Sequence, residues 1–128
     1  MGAAYATYWG PHLFRAEIEA FYRRYNDCCN AHDLGRIGEF VAERVEIDGQ
    51  EQSLDQYIAN LRSWVTAFPD FRWEIRQLVI EGDRIAARFH DTGTAAATGE
   101  AVSTKEFAMY RLRDGKIVEV WGTVDNLP

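Results

Sequence analysis

FRWEIRQLVIEGDRIAARFH, residues Phe71–His90, decides the fold. Upstream of it the apolar residues recur at helical spacing; from Phe71 onward the period is two. Phe71, Trp73 and Ile75 alternate with Arg72, Glu74 and Arg76, and Leu78-Val79-Ile80 prolongs the run, so a half-buried strand is expected. Gly82-Asp83 fits a two-residue hairpin turn. Ile85, Ala87 and Phe89 then alternate with Ala86, Arg88 and His90 on a return strand, and only one of these two faces can be inside.

Downstream, the meander continues. The small, polar segment Thr92–Ser103, with Gly93 and Gly99, reads as a long hairpin connection or a mobile flap. Lys105–Leu112 is a third strand, Asp114-Gly115 a tight turn, and Ile117–Val124 a fourth strand. On that last strand Glu119, Trp121, Thr123 and Asp125 share one face, opposite Val118, Val120, Gly122 and Val124.

Upstream lie three helical stretches. Residues 1–10 read as a loose arm, with Pro11 at the head of a long helix whose stripe is Phe14, Ile18, Phe21, Tyr22 and Tyr25. Asp33 is placed to cap a short second helix carrying Leu34, Ile37, Phe40 and Val41. A brief strand, Val45–Ile47, and an Asp48-Gly49 turn precede Ser53 and Gln56, a capping-box pair. The third helix follows with Leu54, Tyr57, Ile58, Leu61, Trp64, Val65 and Phe68 on one stripe, and Pro69 stops it. Helices followed by an antiparallel meander predict a single α+β domain over 11–128, a curved sheet wrapped on three N-terminal helices. The open end of such a cone is a usual place for a small ligand.

Composition narrows the function. With 128 residues, 47% hydrophobic and a net charge of −6, the chain suits one globular core and offers polyanions no positive footprint, so nucleic acid is not expected as a partner. No apolar run approaches the roughly 20 residues of a membrane span, and residues 1–6 lack the pattern of a signal peptide, so cytoplasmic residence is expected. Cys28 and Cys29 are adjacent and read as unbridged thiols. His12, His32 and His90 are too scattered for a metal site, and no phosphate-cradling loop or Ser-His-Asp order is present, so neither metal nor cofactor is called for.

Five stretches together resemble the SnoaL-like polyketide cyclase family, within the nuclear-transport-factor-2-like superfamily. They are Tyr25-Asn26-Asp27, Phe68-Pro69-Asp70-Phe71, the run Glu81–Arg88, Gly93-Thr94, and the run Asp114–Trp121 with Asp125. The resemblance implies a cystatin-like α+β cone with a pocket between sheet and helices, a homodimer joined through the sheets, and cofactor-free ring closure by intramolecular aldol chemistry. In such enzymes the acid/base Asp stands at the position matched by Gly122, a pocket His at Ala108, and often a further His at Ala95. This chain departs from the pattern at all three.

Asp125 is then the leading acid/base candidate, with His90 and Glu106 as further polar groups. Arg88 or Tyr110 would stabilise developing oxyanion charge. Trp64, Trp73, Trp121 and Tyr25 would wall an apolar pocket for a hydrophobic small molecule, either a carbonyl compound or an epoxide. The resulting expectation is a cofactor-free isomerase or cyclase, or an epoxide-hydrolase-like enzyme. The alternative is a non-catalytic ligand-binding or dimerisation module, for which Ala108 and Gly122 speak.

Overall fold

The structure is a computed structural model and describes residues 10–124. The N-terminal arm up to residue 9, with Trp9, lies outside the described residues, as does Asp125. Helix α1, Gly10–Asn30, comes first. A 3-10 helix, Leu34–Glu39, leads into strands β1, Val41–Ile47, and β2, Gln50–Ser53. Helix α2, Leu54–Ala67, is followed by β3 Arg72–Glu81, β4 Arg84–Thr94, β5 Ala101–Arg113 and β6 Lys116–Val124. The six strands form one open sheet in the order β2-β1-β6-β5-β4-β3. Only β1 and β6 pair in parallel; the other neighbours are antiparallel.

The turn and cap residues act as their chemistry requires. At the start of α2 the Gln56 N–H donates to Ser53 Oγ while the Ser53 N–H donates back to Gln56 Oε1, so two otherwise unpaired donors are satisfied. The helix stops at Phe68, which is extended ahead of Pro69. Asp114 and Gly115 both take positive φ, 51° and 75°, the pair of left-handed residues that a tight hairpin needs.

Three expectations need correcting. Asp33 precedes the second helix but makes no side-chain cap bond, and that helix is a single 3-10 segment. Thr92–Ser103 is no flap: Thr92 pairs directly with Ser103 and Gly93 with Val102, leaving only residues 95–100 as connection. Small residues lower strand propensity, but the ladder and a buried face override it here. Gln50–Ser53, read as turn and cap, also forms the edge strand β2.

The sheet has an inner and an outer face. Inward point Ile85, Ala87, Phe89 and Asp91 of β4 with Thr104, Glu106, Ala108 and Tyr110 of β5; outward point Arg84, Ala86, Arg88 and His90. α1 buries Ile18, Tyr22, Tyr25 and Cys29 against the inner face, with Ile37, Val41, Val45 and Ile117 fully covered. Both cysteines are buried and unbridged. Strand β3 is an edge, and α1 blunts it. Asn26 and Asn30 both donate to the Trp73 carbonyl, at 3.1 and 2.9 Å, the Trp73 N–H donates to Asn30 Oδ1, and His32 Nε2 donates to the Phe71 carbonyl.

The junction between α2 and the sheet brings Phe68-Pro69-Asp70-Phe71 against Gly93-Thr94. Asp70 accepts from the Thr94 N–H at 2.7 Å and from the Thr94 hydroxyl at 2.8 Å. A Cβ on Gly93 would stand 2.9 Å from Phe71 Cδ1 and 3.4 Å from Phe68 Cβ. Gly93→Ala is therefore expected to lower stability by about 1–3 kcal/mol, the range for overfilling a packed site. Urea unfolding measures it; an unchanged midpoint would mean that the Phe71 ring yields freely.

Candidate functional site

α2 has a full apolar stripe and yet no buried residue. The reason is the space beneath it. Between α2 and the inner face lies a cavity of about 470 Å³, walled by Tyr57, Leu61, Trp64, Phe71, Trp73, Ile47 and Val120. Among the described residues its polar lining is Asn60 of α2, Asp48 of the β1–β2 turn, Asp91 of β4 and Glu106 of β5, with no Lys, Arg or His. The aromatic walls interlock: Phe71 packs edge-on against Trp73 at 4.7 Å and Trp64 at 5.3 Å between ring centroids.

Asp91 and Glu106 lie at the floor. Asp91 is 1% exposed, and no described residue offers either of its oxygens a hydrogen bond while both acids are ionised; buried Thr104 Oγ1 is likewise unpartnered. A partner appears once Glu106 carries a proton, because its O–H then donates to Asp91. Burial pushes the Glu106 carboxyl up to about 9, and the hydrogen bond and negative charge of Asp91 push the same way. Asp91 is raised too, by burial first, with the Glu106 hydrogen bond and His90 pulling it down. The two acids therefore titrate as a pair, and at neutral pH that pair holds a proton.

Behind the floor sits a cluster of phenols. The hydroxyls of Tyr25 and Tyr57 are 2.6 Å apart, and those of Tyr22 and Tyr110 are 2.9 Å apart. Burial raises all four phenols above their ordinary range, and pushes the Cys29 thiol up to about 12. They stay neutral near pH 7 and serve as hydrogen-bonding groups rather than anions.

The structure sorts the residues singled out in the sequence into two sets. Glu106, Trp64 and Trp73 line the inner cavity, with Tyr25 bonded to its wall and Tyr110 buried beside Tyr22. His90, Arg88 and Trp121 stand on the opposite side of the sheet. Strand parity is the cause: an inward Asp91 requires an outward His90. His90 donates from Nε2 to Ser103 Oγ at 2.7 Å and accepts from Arg76, while Arg88 reaches Gln77. Arg88 and Trp121 border a shallow outer groove of about 400 Å³ with Val79, Phe107 and Met109. His90 and Glu106 thus do not converge.

Asp91 is the residue that sequence reasoning passed over. Its signal was available, since it continues the apolar phase Ile85, Ala87, Phe89. Tyr57 was read only as part of a helical stripe, and Asp48 only as a turn residue. Ala108 and Gly122 face each other across the β5–β6 ladder on the inner side, so the two departures from the family pattern form one cross-strand pair.

The comparisons identify the family and the fold. A family model described as SnoaL-like polyketide cyclase matches residues 19–128. A SnoaL-like polyketide cyclase from Agrobacterium tumefaciens is 29% identical, with 83% of this chain covering 89% of that one at a TM-score of 0.79. AclR from Streptomyces galilaeus is 27% identical, with 86% of this chain covering 90% of that one at a TM-score of 0.75. An uncharacterized protein of Schizosaccharomyces pombe is 30% identical over 71 residues, 56% of this chain; the chain spans about half of that relative's length, 54%. Among the described residues, no helix is long and apolar enough to cross a membrane, and no three His, Cys, Asp or Glu side chains are grouped to hold a metal ion.

Proposed function

Since the chain belongs to the SnoaL-like polyketide cyclase family, we propose that it is a proton-transfer enzyme, an isomerase or cyclase that enolises a hydrophobic carbonyl substrate in the inner cavity. The observation that carries this reading is the Asp91–Glu106 pair at the floor of an aromatic cavity, with Asp91 buried and short of partners. At neutral pH Glu106 holds a proton above the cavity floor. When substrate binds, the Glu106 O–H turns from Asp91 to the substrate carbonyl, so negative charge developing on oxygen meets a hydrogen-bond donor. Asp91 lies behind it and touches no solvent. It is a positioning residue whose negative charge keeps the proton on its neighbour. With no cation among the described residues of its lining, the cavity suits a neutral substrate and disfavours a carboxylate or phosphate.

Hydrogen–deuterium exchange at the carbons beside the carbonyl of 2-tetralone, followed by NMR in D2O, tests the reading without knowledge of the natural substrate. Acceleration over buffer that is lost in Asp91→Asn supports it. A ketone that binds without exchanging would make the domain a non-catalytic binding module, the role that Ala108 and Gly122 favour.

A homodimer is proposed through the outer face of the sheet. Val79, Phe107, Met109 and Trp121 are 43–53% exposed and lie together there, a large apolar surface for a free sheet face. A second copy meeting it about a two-fold axis would cover the patch with its own equivalent. Phe107→Asp is expected to turn a dimer into a monomer in sedimentation velocity, with the fold intact by circular dichroism. A wild-type protein that sediments as a monomer at high micromolar concentration would overturn the arrangement.

A further inference from the structure

Enolisation needs a base as well as a hydrogen-bond donor, and Glu106 cannot be both while it holds its proton. We propose that Asp48, at the β1–β2 turn, is the catalytic base that takes the proton from carbon; this rests on the enolisation reading above.

Four observations place it there. Asp48 lines the same cavity as Glu106 and Asp91. Its backbone is left-handed, φ 49°, because Asp48 and Gly49 (φ 87°) form the two-residue turn of the β1–β2 hairpin, as Asp114 and Gly115 do in theirs. The chain is held in that state from both sides. The Asp48 N–H donates to the Val120 carbonyl at 2.9 Å, and the Gly122 N–H donates to Asp48 Oδ1 at 3.1 Å. One carboxylate oxygen is thus fixed on β6, and no described residue donates to the other.

Gly122 lines the cavity as well, and a Cβ there would meet nothing nearer than the Phe107 carbonyl at 3.5 Å. Gly122 pairs with Ala108, and Glu106 lies two residues along β5 on the same inward face. The two levels are therefore roughly 7 Å apart along the strand. Asp48 approaches Gly122 from the β1 side of β6 while Glu106 projects from β5 on its other side, so a substrate held by both spans the cavity between them. One oxygen of buried Asp91 stays without a donor among the described residues even when Glu106 is protonated, an independent sign that the cavity is built for a ligand.

The step balances. The C–H bond beside the carbonyl breaks and its proton forms an O–H bond on Asp48. The electron pair moves into the C–C–O system, and the enolate oxygen takes up the hydrogen bond from Glu106. Asp48 then returns a proton, or a deuteron in D2O, to carbon.

Asparagine makes a clean test. It is isosteric with aspartate, tolerates a left-handed φ and still accepts from the Gly122 N–H, but cannot take a proton. Asp48→Asn is expected to keep the melting temperature and the affinity for 2-tetralone while slowing exchange about 100-fold or more. Asp125→Asn is the comparison, because Asp125 is the carboxylate that the sequence favoured. Exchange lost in Asp125→Asn and kept in Asp48→Asn would overturn the assignment to Asp48 and leave the enolisation reading standing. Wild-type protein that binds the ketone without exchanging it would overturn both. A lowered melting temperature in Asp48→Asn together with weakened ketone binding would make Asp48 a structural turn residue and likewise overturn its role as base.

Discussion

Glu106→Gln should slow exchange of 2-tetralone about 100-fold, the lower end of what a positioned acid contributes, and should change the shape of the pH profile as well. In the wild type, once the buffer reaction is subtracted, the rate is expected to fall as pH rises through about 9, where Glu106 loses its proton. Other titrating groups surround Glu106: Asp91 across the pair, Tyr57 on α2, Tyr22 on α1, Tyr110 on its own strand and Cys29 behind them. Burial raises the phenols and the thiol above their ordinary ranges, so the alkaline limb belongs to the acid pair. Glutamine keeps a hydrogen-bond donor at the same place, so the ketone should still bind, but it has no proton to lose and the limb should vanish. The same decline near pH 9 in Glu106→Gln would show that another group controls the rate and that Glu106 is a bystander.

Much of the scaffold behind this prediction was open to sequence reasoning because it is set locally. The Ser53–Gln56 capping box, the stop at Pro69 and the Asp114-Gly115 turn each depend on residues within a few positions of one another, and each appears as expected. Strand parity was equally plain, yet the choice of face was not. Arg88 and His90 drew attention as titratable groups, while the apolar phase of Ile85, Ala87 and Phe89 already marked the inner side and led on to Asp91.

What stayed hidden depends on register and distance. Glu106 meets Asp91 only because the β4–β5 ladder runs unbroken through Thr92 and Ser103, in the segment whose small residues suggested a flap. Tyr22 meets Tyr110 across 88 positions, and Asp48 meets Gly122 across 74. No spacing rule links such pairs. The empty volume under α2 was equally invisible, since a stripe of Tyr57, Leu61 and Trp64 has the same period whether it faces a packed core or a cavity.

The same buried pair is expected to dominate how stability depends on pH. Glu106 has a folded-state pKa raised above its unfolded value of 4.5 to about 9, and Asp91 moves in the same direction. Between those limits the native protein holds a proton that the unfolded chain has released, so stability is full below the unfolded value and drains as pH rises through the folded one. At about 1.4 kcal/mol per pKa unit, and discounting for a Glu106 that is only partly buried, the loss from pH 5 to pH 9 is a few kcal/mol, roughly. Asp70, Glu39, Glu51 and Glu119 act oppositely: hydrogen bonds from Thr94, Arg36, Arg44, and Trp121 with Arg111 lower them, so their contribution is lost in acid. The exposure of Asp70, Glu39 and Glu51 keeps their contribution small, and Glu119, half-buried between Arg84 and Arg111, loses its own only in acid well below pH 5. The wild type should therefore be most stable in mild acid rather than at neutrality. Glu106→Gln, which needs no proton to donate to Asp91, should match it near pH 5 and exceed it increasingly toward pH 9. Urea unfolding across that range decides the matter: parallel curves for the two proteins would mean that the pair holds no extra proton when folded, and the donor assigned to Glu106 would go with it.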